Sequence, residues 1–378
     1  MSAAGAIRGL IDAPPQEPAL MTATADSLLV ARREPLGRAV ETLIIENDLI
    51  QAQFLLDQGC DLYRLIYKPK GTDVLFKVPY PTREPGVGPA PAGDSLEQWL
   101  AYYRGGWQVL FPNFGPEVEY RGARLDMHGE AARVPWRLIS TAREGNRLDA
   151  SMALTLRKSP ARIERRVTLG VGEPALEIEE RVTNLAAMPL DCVWAHHPAF
   201  GAPFLSPACR IFTGATRVEA DPAYHADAND LAHGKAREWP WAEALDGERL
   251  DLSRVPARAS GCSRVAVLSG FSEGWYAIQN SELGLGVGLA WDKDIFPYAG
   301  LWQEASGEQG YPWFGRGYVT AIEPSSSYFG HGLTRIMETT GTQLTIGPGA
   351  SVTARMRVLF FEGHRPPGRI GLDGTLER

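Results

Sequence analysis

The feature that most limits the fold of this chain is a long succession of short apolar runs, each closed by a turn signal. From residue 41 onward the runs are rich in β-branched and aromatic residues and are bounded by Asn-Asp, Gln-Gly, Lys-Gly or Pro. The 40 glycines and 28 prolines are spread along the 378 residues, which favours many turns over disorder. Long helices that could cover both faces of a parallel sheet are missing from the pattern. We therefore expect an all-β fold, a large antiparallel β-sandwich.

Periodicity identifies several elements within this pattern. Residues 162–170 and 174–184 alternate apolar with charged side chains, which predicts strands with one buried and one wet face, their charges pairing across strands or facing solvent. Residues 341–363 predict two strands around a Pro-Gly turn. Residues 94–104 repeat apolar side chains at intervals of three and four, which predicts a short helix.

The chain shows no linker that forces a division into domains. We expect one β-sandwich domain over residues 39–365, preceded by a loosely held arm over 1–38 and followed by a polar tail over 366–378. A short helix is predicted near 28–33 within the arm. The polar stretch 214–260 is interpreted as an insertion or wandering loop with at most one helical turn, and no function is assigned to it.

Charge and cysteine placement exclude several classes of protein. A formal net charge of −7 offers no basic field for nucleic acid. No run approaches the ~18 apolar residues of a membrane helix, and prolines interrupt the first 20 residues, so we expect no membrane partner and a cytoplasmic protein. The cysteines are far apart without CxxC spacing, which predicts buried free thiols. They are Cys60, Cys192, Cys209 and Cys262.

The stretch 298–326 combines aromatic, amide, acidic and guanidinium side chains between two predicted strands. Gln303 and Arg316 offer fork-shaped hydrogen bonding. The flat apolar faces are those of Trp302, Tyr311, Trp313 and Phe314, and the carboxylates are those of Glu304, Glu308 and Glu323. A ring with an apolar face and many hydroxyl groups suits such a lining. The stretch therefore predicts a pocket for a sugar.

Histidines in unusual settings are the other candidates for chemistry. His128 precedes a glycine, and His196 and His197 are adjacent on a predicted strand. Neighbours on a strand face opposite sides, and Cys192 and Trp194 share the side of His196, so only His197 is free to enter a common pocket. A metal site needs three or four converging ligands. We therefore expect neither a metal nor a cofactor.

Three kinds of chemistry remain to be compared. A pair formed by Glu304 and Glu323 would suit glycoside hydrolysis but would leave the histidines idle. The GxSxG elbow of serine hydrolases is absent. A carboxylate with two histidines in an aromatic pocket suits proton exchange on a sugar without a covalent intermediate.

The order of several segments resembles a known family. GGWQVLFPN, HGEAARVPW, HHPAFG, PYAGLWQEASGEQGYPWFGRGYVTAIEP and LTIGPGASVTARMRVLFF follow one another as in the aldose 1-epimerase (galactose mutarotase-like) superfamily, over residues 41–363. The resemblance implies a β-supersandwich with the sugar on a concave face. By the same resemblance, His128 contacts the sugar near the ring oxygen, His197 is the general acid at O5, and Glu323 is the general base at the anomeric hydroxyl.

One departure from the family concerns the substrate clamp. Many relatives have an arginine after the Pro-Asn of the first segment, whereas Asn113 is followed here by Phe114. Arg133 or Arg316 is expected to replace it, and Trp302, with Trp107 or Trp313, is expected to stack on the sugar. The predicted substrate-binding residues are Trp107, Asn113, Arg133, Trp302, Gln303, Glu304 and Arg316.

These observations predict a mutarotase for a free hexose or a close relative. Two alternatives stay open. A hexose-6-phosphate 1-epimerase would gather arginines around the phosphate, and Arg133, Arg137 and Arg316 are available. A carbohydrate-binding protein of the same fold without turnover is the other. The expected partner is a small sugar, and a homodimer is left open.

Overall fold

Two large antiparallel sheets dominate the structure, which is a computed structural model describing residues 28–88, 92–234 and 236–378. Its helices are α1 (Ser95–Tyr102) and α2 (Leu333–Thr339). The strands are β1 (Leu29–Leu36), β2 (Val40–Asn47), β3 (Ile50–Leu55), β4 (Asp61–Tyr67), β5 (Thr72–Asp73), β6 (Trp107–Leu110), β7 (Val118–Tyr120), β8 (Ala123–Leu125), β9 (Arg137–Glu144), β10 (Arg147–Thr155), β11 (Ala161–Gly170), β12 (Ala175–Asn184), β13 (Leu190–Cys192), β14 (Ala195–Phe200), β15 (Cys209–Thr213), β16 (Arg217–Ala220), β17 (Arg237–Glu238), β18 (Trp241–Glu243), β19 (Arg249–Asp251), β20 (Cys262–Ser269), β21 (Gly274–Asn280), β22 (Leu285–Trp291), β23 (Tyr298–Ala305), β24 (Tyr318–Ser325), β25 (Leu344–Ile346), β26 (Ser351–Glu362), β27 (Arg369–Ile370) and β28 (Leu376–Glu377).

The large sheet has twelve strands and the second sheet has eight. The large sheet runs β1-β2-β3-β4-β6-β14-β24-β23-β20-β16-β17, with β5 paired to β4, and the second runs β15-β21-β22-β26-β12-β11-β10-β9. Neighbouring strands are antiparallel in both sheets. The predicted all-β class and antiparallel sandwich are confirmed.

The main core lies between the two sheets. Alternate side chains of the large sheet, such as Ile45 and Phe54, and of the second sheet, such as Ile163, Val167 and Ile178, belong to one buried cluster. Fully burying an aliphatic or aromatic side chain stabilises a fold by about 1.5–3 kcal/mol. The period-two alternation of the sequence therefore sets which face of each strand turns inward.

A smaller apolar cluster covers the opposite face of the large sheet. Helix α1 contributes Trp99 and Leu100 to it, and strands β14 and β24 contribute Ala199 and Ala321. The helix begins where the Asp94 side chain accepts a hydrogen bond of 2.9 Å from the Glu97 amide. The helix predicted over 94–104 is confirmed, and it shelters this face from solvent.

The predicted short helix near 28–33 is wrong, because the segment forms strand β1. Leu29–Leu36 pairs residue by residue with Val40–Asn47 across a tight turn in which Gly37 has φ +67°. Backbone hydrogen bonds to β2 therefore decide the conformation of this segment against its weak helical preference. Residues 1–27 of the predicted arm lie outside the described residues.

The stretch 214–260, expected to be an insertion or wandering loop, and the polar tail 366–378 both contain short strands. The stretch 214–260 contains β16 to β19 and the single 3₁₀ turn Arg258–Ser260. In the polar tail, β27 pairs with β28, and Ile370 is buried against the second sheet. The four cysteines are buried and unpaired, as predicted. None of the helices in the described residues is long and apolar enough to cross a membrane.

A buried polar link joins the two sheets. Arg165 on β11 donates 2.6 Å hydrogen bonds to Glu180 on β12 and to the carbonyl of Cys60. Glu180 also lies 3.3 Å from Nε2 of His196 on β14. Burial alone would raise the pKa of Glu180, but Arg165 and His196 together lower it to about 2. His196 in turn accepts a hydrogen bond of 3.1 Å from Trp107.

We expect Arg165→Met to destabilise the fold by about 3–5 kcal/mol, because it leaves the Glu180 carboxylate buried without its cation. The double variant Arg165→Met, Glu180→Leu removes both charges and should recover most of that loss. Unfolding in denaturant, compared with the wild type, measures both. A single variant within about 1 kcal/mol of the wild type would contradict the assigned role of the link.

Candidate active site

The candidate site is built where β14 and β24 run side by side. The antiparallel register pairs Ala199 with Ala321, so His197, two residues before Ala199, lies opposite Glu323, two residues after Ala321. Nε2 of His197 is 3.5 Å from Oε1 of Glu323. Gly300, which pairs with Glu323 from β23, has no side chain to fill the space beside the carboxyl group. The pair therefore forms the floor of an open cavity.

His128 approaches this pair from a turn that follows β8. Its backbone is left-handed, with φ +59°, and its amide donates to the carbonyl of Gly115 over 3.0 Å. The Gly115 amide donates in return to Nδ1 of His128 over 3.3 Å. Because Nδ1 accepts, the hydrogen of the neutral ring is on Nε2. The ring centroids of His128 and His197 are 5.8 Å apart.

Aromatic side chains hold both imidazoles in place. Trp99 meets His128 edge to face at 4.7 Å between centroids, and Tyr103 meets His197 at 5.8 Å. Trp302 lies 5.9 Å from His197 by the same measure. These contacts leave the imidazoles little freedom to rotate, and they supply the apolar faces expected around a sugar ring.

Burial in this apolar setting controls the protonation of the pair. Burial raises the pKa of Glu323 from 4.5 to about 8 and lowers the pKa of His197 from 6.5 to about 4. Burial, together with the nearby His197, lowers the pKa of His128 well below its usual value. Between about pH 4 and pH 8 the Glu323–His197 pair therefore holds one proton in total.

The cavity above the pair has a volume of about 460 Å³, within the roughly 300–1,000 Å³ typical of small-molecule sites. Aromatic residues form much of its wall, and no Arg or Lys occurs among the described residues that line it. Its titratable or hydroxyl-bearing lining residues are His128, His197, Asp221, Tyr224, Glu308, Tyr311, Glu323, Ser327, Tyr328 and His331. Within the described ranges, no group of three or more His, Cys, Asp or Glu residues is placed to hold a metal ion.

The structure brings together His128, His197, Glu323 and Trp302 of the predicted site residues. Trp313, the alternative to Trp107 as a stacking residue, also lines the cavity, whereas the remaining predicted substrate-binding residues lie outside its lining. Trp107 faces the core, where it binds His196. Gln303 is fully buried and donates to the carbonyls of Leu252 and Arg254.

Glu304 lies beneath the loop that follows β23. One of its oxygens accepts hydrogen bonds from the amides of Gly307 and Glu308 at 2.7 and 3.1 Å. The carboxylate therefore holds this loop in place. Glu304 does not share the cavity with Glu323, so the two carboxylates do not form a pair in it.

The arginines expected to clamp a substrate have other partners. Arg133 lies 3.5 Å from Asp126 and donates to Gln98 over 3.3 Å. Arg316 is exposed and donates to the carbonyl of Pro79 over 2.7 Å. Neither side chain reaches the cavity, and no other Arg or Lys of the described residues lines it.

Asn113 organises the loops around the cavity. Its amide group donates to the carbonyls of Pro116 and Asp126 at 2.7 and 3.0 Å, and its oxygen accepts 2.7 Å from the Leu333 amide. It thereby fixes the turn that carries His128 and the start of α2. Asn113 is fully buried behind the cavity lining, so it positions the site without contacting a ligand in the cavity.

Sequence reasoning missed several polar residues of the cavity. Asp221 and Tyr224 come from the stretch 214–260, and Tyr328 and His331 come from the segment between β24 and α2. Glu308, a carboxylate expected in the pocket, does line the cavity. One signal was present, because His331 stands between two glycines, a setting like that of His128. The others are single polar residues in irregular segments and carry no pattern.

A sandwich with this arrangement has the galactose mutarotase-like fold, and the predicted likeness to that superfamily is confirmed at the level of fold. A Klebsiella pneumoniae protein provisionally named an aldose 1-epimerase matches at 17% identity and TM-score 0.71, over 90% of this chain and 85% of that one. A galactose mutarotase-like protein from Clostridium acetobutylicum matches at 14% identity and TM-score 0.61, over 88% of this chain and 99% of that one. A Salmonella typhimurium protein provisionally named a mutarotase matches at 15% identity and TM-score 0.60, over 88% of this chain and 94% of that one.

The sequence model of DUF4432, a domain of unknown function, matches residues 37–359. This chain belongs to the DUF4432 family. Comparison with curated protein sequences finds no match. At the identities of the solved structures, their likeness shows the fold alone.

Replacing Glu323 by Gln should make the fold relatively more stable as the pH rises. The folded wild type keeps the Glu323 proton up to about pH 8, whereas the unfolded chain releases it near pH 4.5. The stability linked to that proton is present below about pH 4.5 and is lost as the pH rises to about 8. The variant should gain on the wild type by up to about 1.4 kcal/mol per pH unit in this window.

Denaturant unfolding between pH 4.5 and pH 8.5 measures that difference, and Glu119→Gln, on the exposed side of β7, sets the baseline. A difference between Glu323→Gln and wild type that stays constant with pH would show that the carboxyl group is not held protonated by burial.

Proposed function

We propose that this protein is an aldose 1-epimerase that interconverts the α and β anomers of an unphosphorylated sugar. The observation that carries the proposal is the Glu323–His197 pair, 3.5 Å apart on the floor of an aromatic cavity of sugar size. An acid and a base on one side of a ring can exchange the two protons that anomer interconversion requires.

The proposed reaction opens and recloses the sugar ring. Glu323, as the carboxylate, takes the proton of the hydroxyl on C1 while His197, as the imidazolium, donates a proton to the ring oxygen O5. The bond from C1 to O5 breaks and leaves an aldehyde. Rotation about the bond from C1 to C2 presents the other face of C1, and the ring closes with the two proton transfers reversed.

His128 supports this reaction without exchanging a proton. Because Nδ1 of His128 is taken by the Gly115 amide, the hydrogen on Nε2 is available to a sugar oxygen near the reacting bond. Burial keeps this imidazole neutral, since it lowers the pKa of His128 well below the usual value. A neutral donor next to His197 does not compete with it for a proton.

The cavity lining favours a sugar without a phosphate group. Phosphate recognition in proteins uses arginine, lysine or clustered backbone amides, and none of the described lining residues is an Arg or Lys. Arg133 and Arg316 are engaged elsewhere, and Arg137 begins β9 of the second sheet. The apolar faces of Trp302 and Trp313 instead suit the C–H face of a pyranose.

We expect Glu323→Gln and His197→Gln each to lower the mutarotation rate by about 10²- to 10⁴-fold, because each removes one proton-transfer group. Polarimetry of freshly dissolved α-glucose and α-galactose measures the rate. His196→Gln is the matched control, since the neighbouring side chain faces the core and should cost stability but not turnover in the folded protein.

Three outcomes of this assay count against the proposal. In the first outcome the wild type gives no acceleration, and in the second Glu323→Gln leaves the rate unchanged. The third outcome is a larger acceleration over the uncatalysed rate with α-glucose 6-phosphate than with α-glucose. The first would leave a sugar-binding protein without turnover, and the last would revive the phosphorylated substrate.

The pH profile of kcat/KM should be flat between about pH 4 and pH 8 and fall on both sides. The productive pair, carboxylate with imidazolium, holds one proton in total, as does its neutral form, so their ratio does not change with pH in this window. Below the window a second proton binds, and above it the last proton leaves. A profile with a single limb near pH 6.5 would contradict a coupled pair.

A further inference from the structure

The cavity contains a second acid and imidazole pair that the proposed reaction does not use. Asp221 follows β16 and His331 precedes α2, and both line the cavity. Nε2 of His331 lies 2.7 Å from Oδ1 of Asp221. Asp221 is buried, with 8% of its surface exposed, so this carboxyl group has been placed inside the protein rather than left in solvent.

Both members of the Asp221–His331 pair are held rigidly. The backbone amide of Asp221 donates to the carbonyl of Val265 over 2.9 Å, and Oδ1 also accepts 2.8 Å from the Ala223 amide. The ring of Phe329 lies parallel to that of His331, with centroids 4.9 Å apart and an interplanar angle of 6°. A binding group that is already fixed loses little entropy when a ligand arrives.

Each member keeps one acceptor free. A carboxylate can only accept, so His331 donates to Asp221 through Nε2, and in the tautomer that carries its hydrogen on Nε2 the other ring nitrogen, Nδ1, is an acceptor. Oδ1 of Asp221 already receives two hydrogen bonds, whereas Oδ2 receives none from the described residues. Likewise, no described residue bonds to Nδ1 of His331. Both residues line the cavity, so the pair offers two acceptors to a ligand bound there.

We propose that Asp221 and His331 form a specificity subsite that binds two neighbouring hydroxyl groups of the sugar, at ring carbons other than C1. Two adjacent acceptors match two donating hydroxyl groups of a vicinal diol. This inference deepens the proposed function, because it says what holds the far end of the sugar while Glu323 and His197 act at C1. It also gives the stretch 214–260 a role, since that stretch carries Asp221.

The subsite would also orient the substrate in a cavity that has no arginine among its described lining residues. A free sugar carries no charge, and hydroxyl groups donate well to a carboxylate. A sugar that lacks one of the two hydroxyl groups would leave a buried acceptor unpaired, which is the situation that sites of this kind discriminate against most strongly. The proposed enzyme therefore selects by the presence and configuration of that diol.

Binding of 1,5-anhydro-D-glucitol and its monodeoxy analogues tests the subsite by calorimetry. These pyranoses lack the hydroxyl on C1, so binding is measured without turnover. In the wild type, loss of one or both of two neighbouring hydroxyl groups should weaken binding about 10- to 100-fold, because each donates to a charged or oriented acceptor. Asp221→Asn keeps an oxygen that accepts from the Ala223 amide. In this variant, loss of at least one of those hydroxyl groups should no longer weaken binding.

Asp251→Asn makes the same change at a carboxylate outside the cavity and should discriminate among the analogues as the wild type does. His331→Gln is the second variant and should erase the effect of the neighbouring hydroxyl group, with thermal unfolding confirming that each variant is folded. The subsite is refuted if no analogue binds the wild type, or if Asp221→Asn and His331→Gln keep the wild-type pattern.

Polarimetry on the same variants separates the two proposals. Selective loss of diol recognition without any mutarotation in the wild type supports the subsite and removes the epimerase. Mutarotation that depends on Glu323, with deoxy analogues bound equally by wild type and Asp221→Asn, supports the epimerase and removes the subsite.

Discussion

The register of β14 against β24 is the constraint on which the site depends. It sets His197 opposite Glu323, and the period of two along β14 turns His196 to the other face, where it meets Glu180, the partner of Arg165. One dipeptide therefore contributes to the cavity on one side and to the link between the sheets on the other. A slip of one residue would exchange these roles and turn His196 toward the cavity in place of His197.

The same apolar surroundings that stabilise the fold create the unusual protonation of the site. Trp99, Tyr103 and Trp302 keep water from the imidazoles and the carboxyl group. Without that water, the charged forms of Glu323 and His197 are disfavoured, and the pKa of the acid rises above that of the base. Such a pair costs stability near neutral pH, and it keeps an acid and a base in reach of one another for proton exchange.

The class of fold could be predicted from the sequence because regular strands leave an alternating pattern, whereas the pairing of His197 with Glu323 was predicted from the resemblance to the superfamily. The alternation of apolar and polar residues predicted the strands, and it predicted that His196 and His197 face opposite sides of their strand. The arginines, Asn113 and the Asp221–His331 pair lie in loops, where the path of the chain decides direction. Arg316 was expected in the pocket, yet the turn after Trp313 carries it outward to Pro79. Asp221 and His331 meet from segments 110 residues apart, which no local pattern records.

We propose above all that Glu323 and His197 act together on the anomeric centre of a sugar bound in this cavity. A crystal structure with bound glucose or galactose tests it most directly. The claim predicts the C1 hydroxyl within hydrogen-bond distance of Glu323 and the ring oxygen within the same reach of His197, about 2.6–3.2 Å between heavy atoms. A sugar bound with its anomeric carbon turned away from both side chains would contradict it.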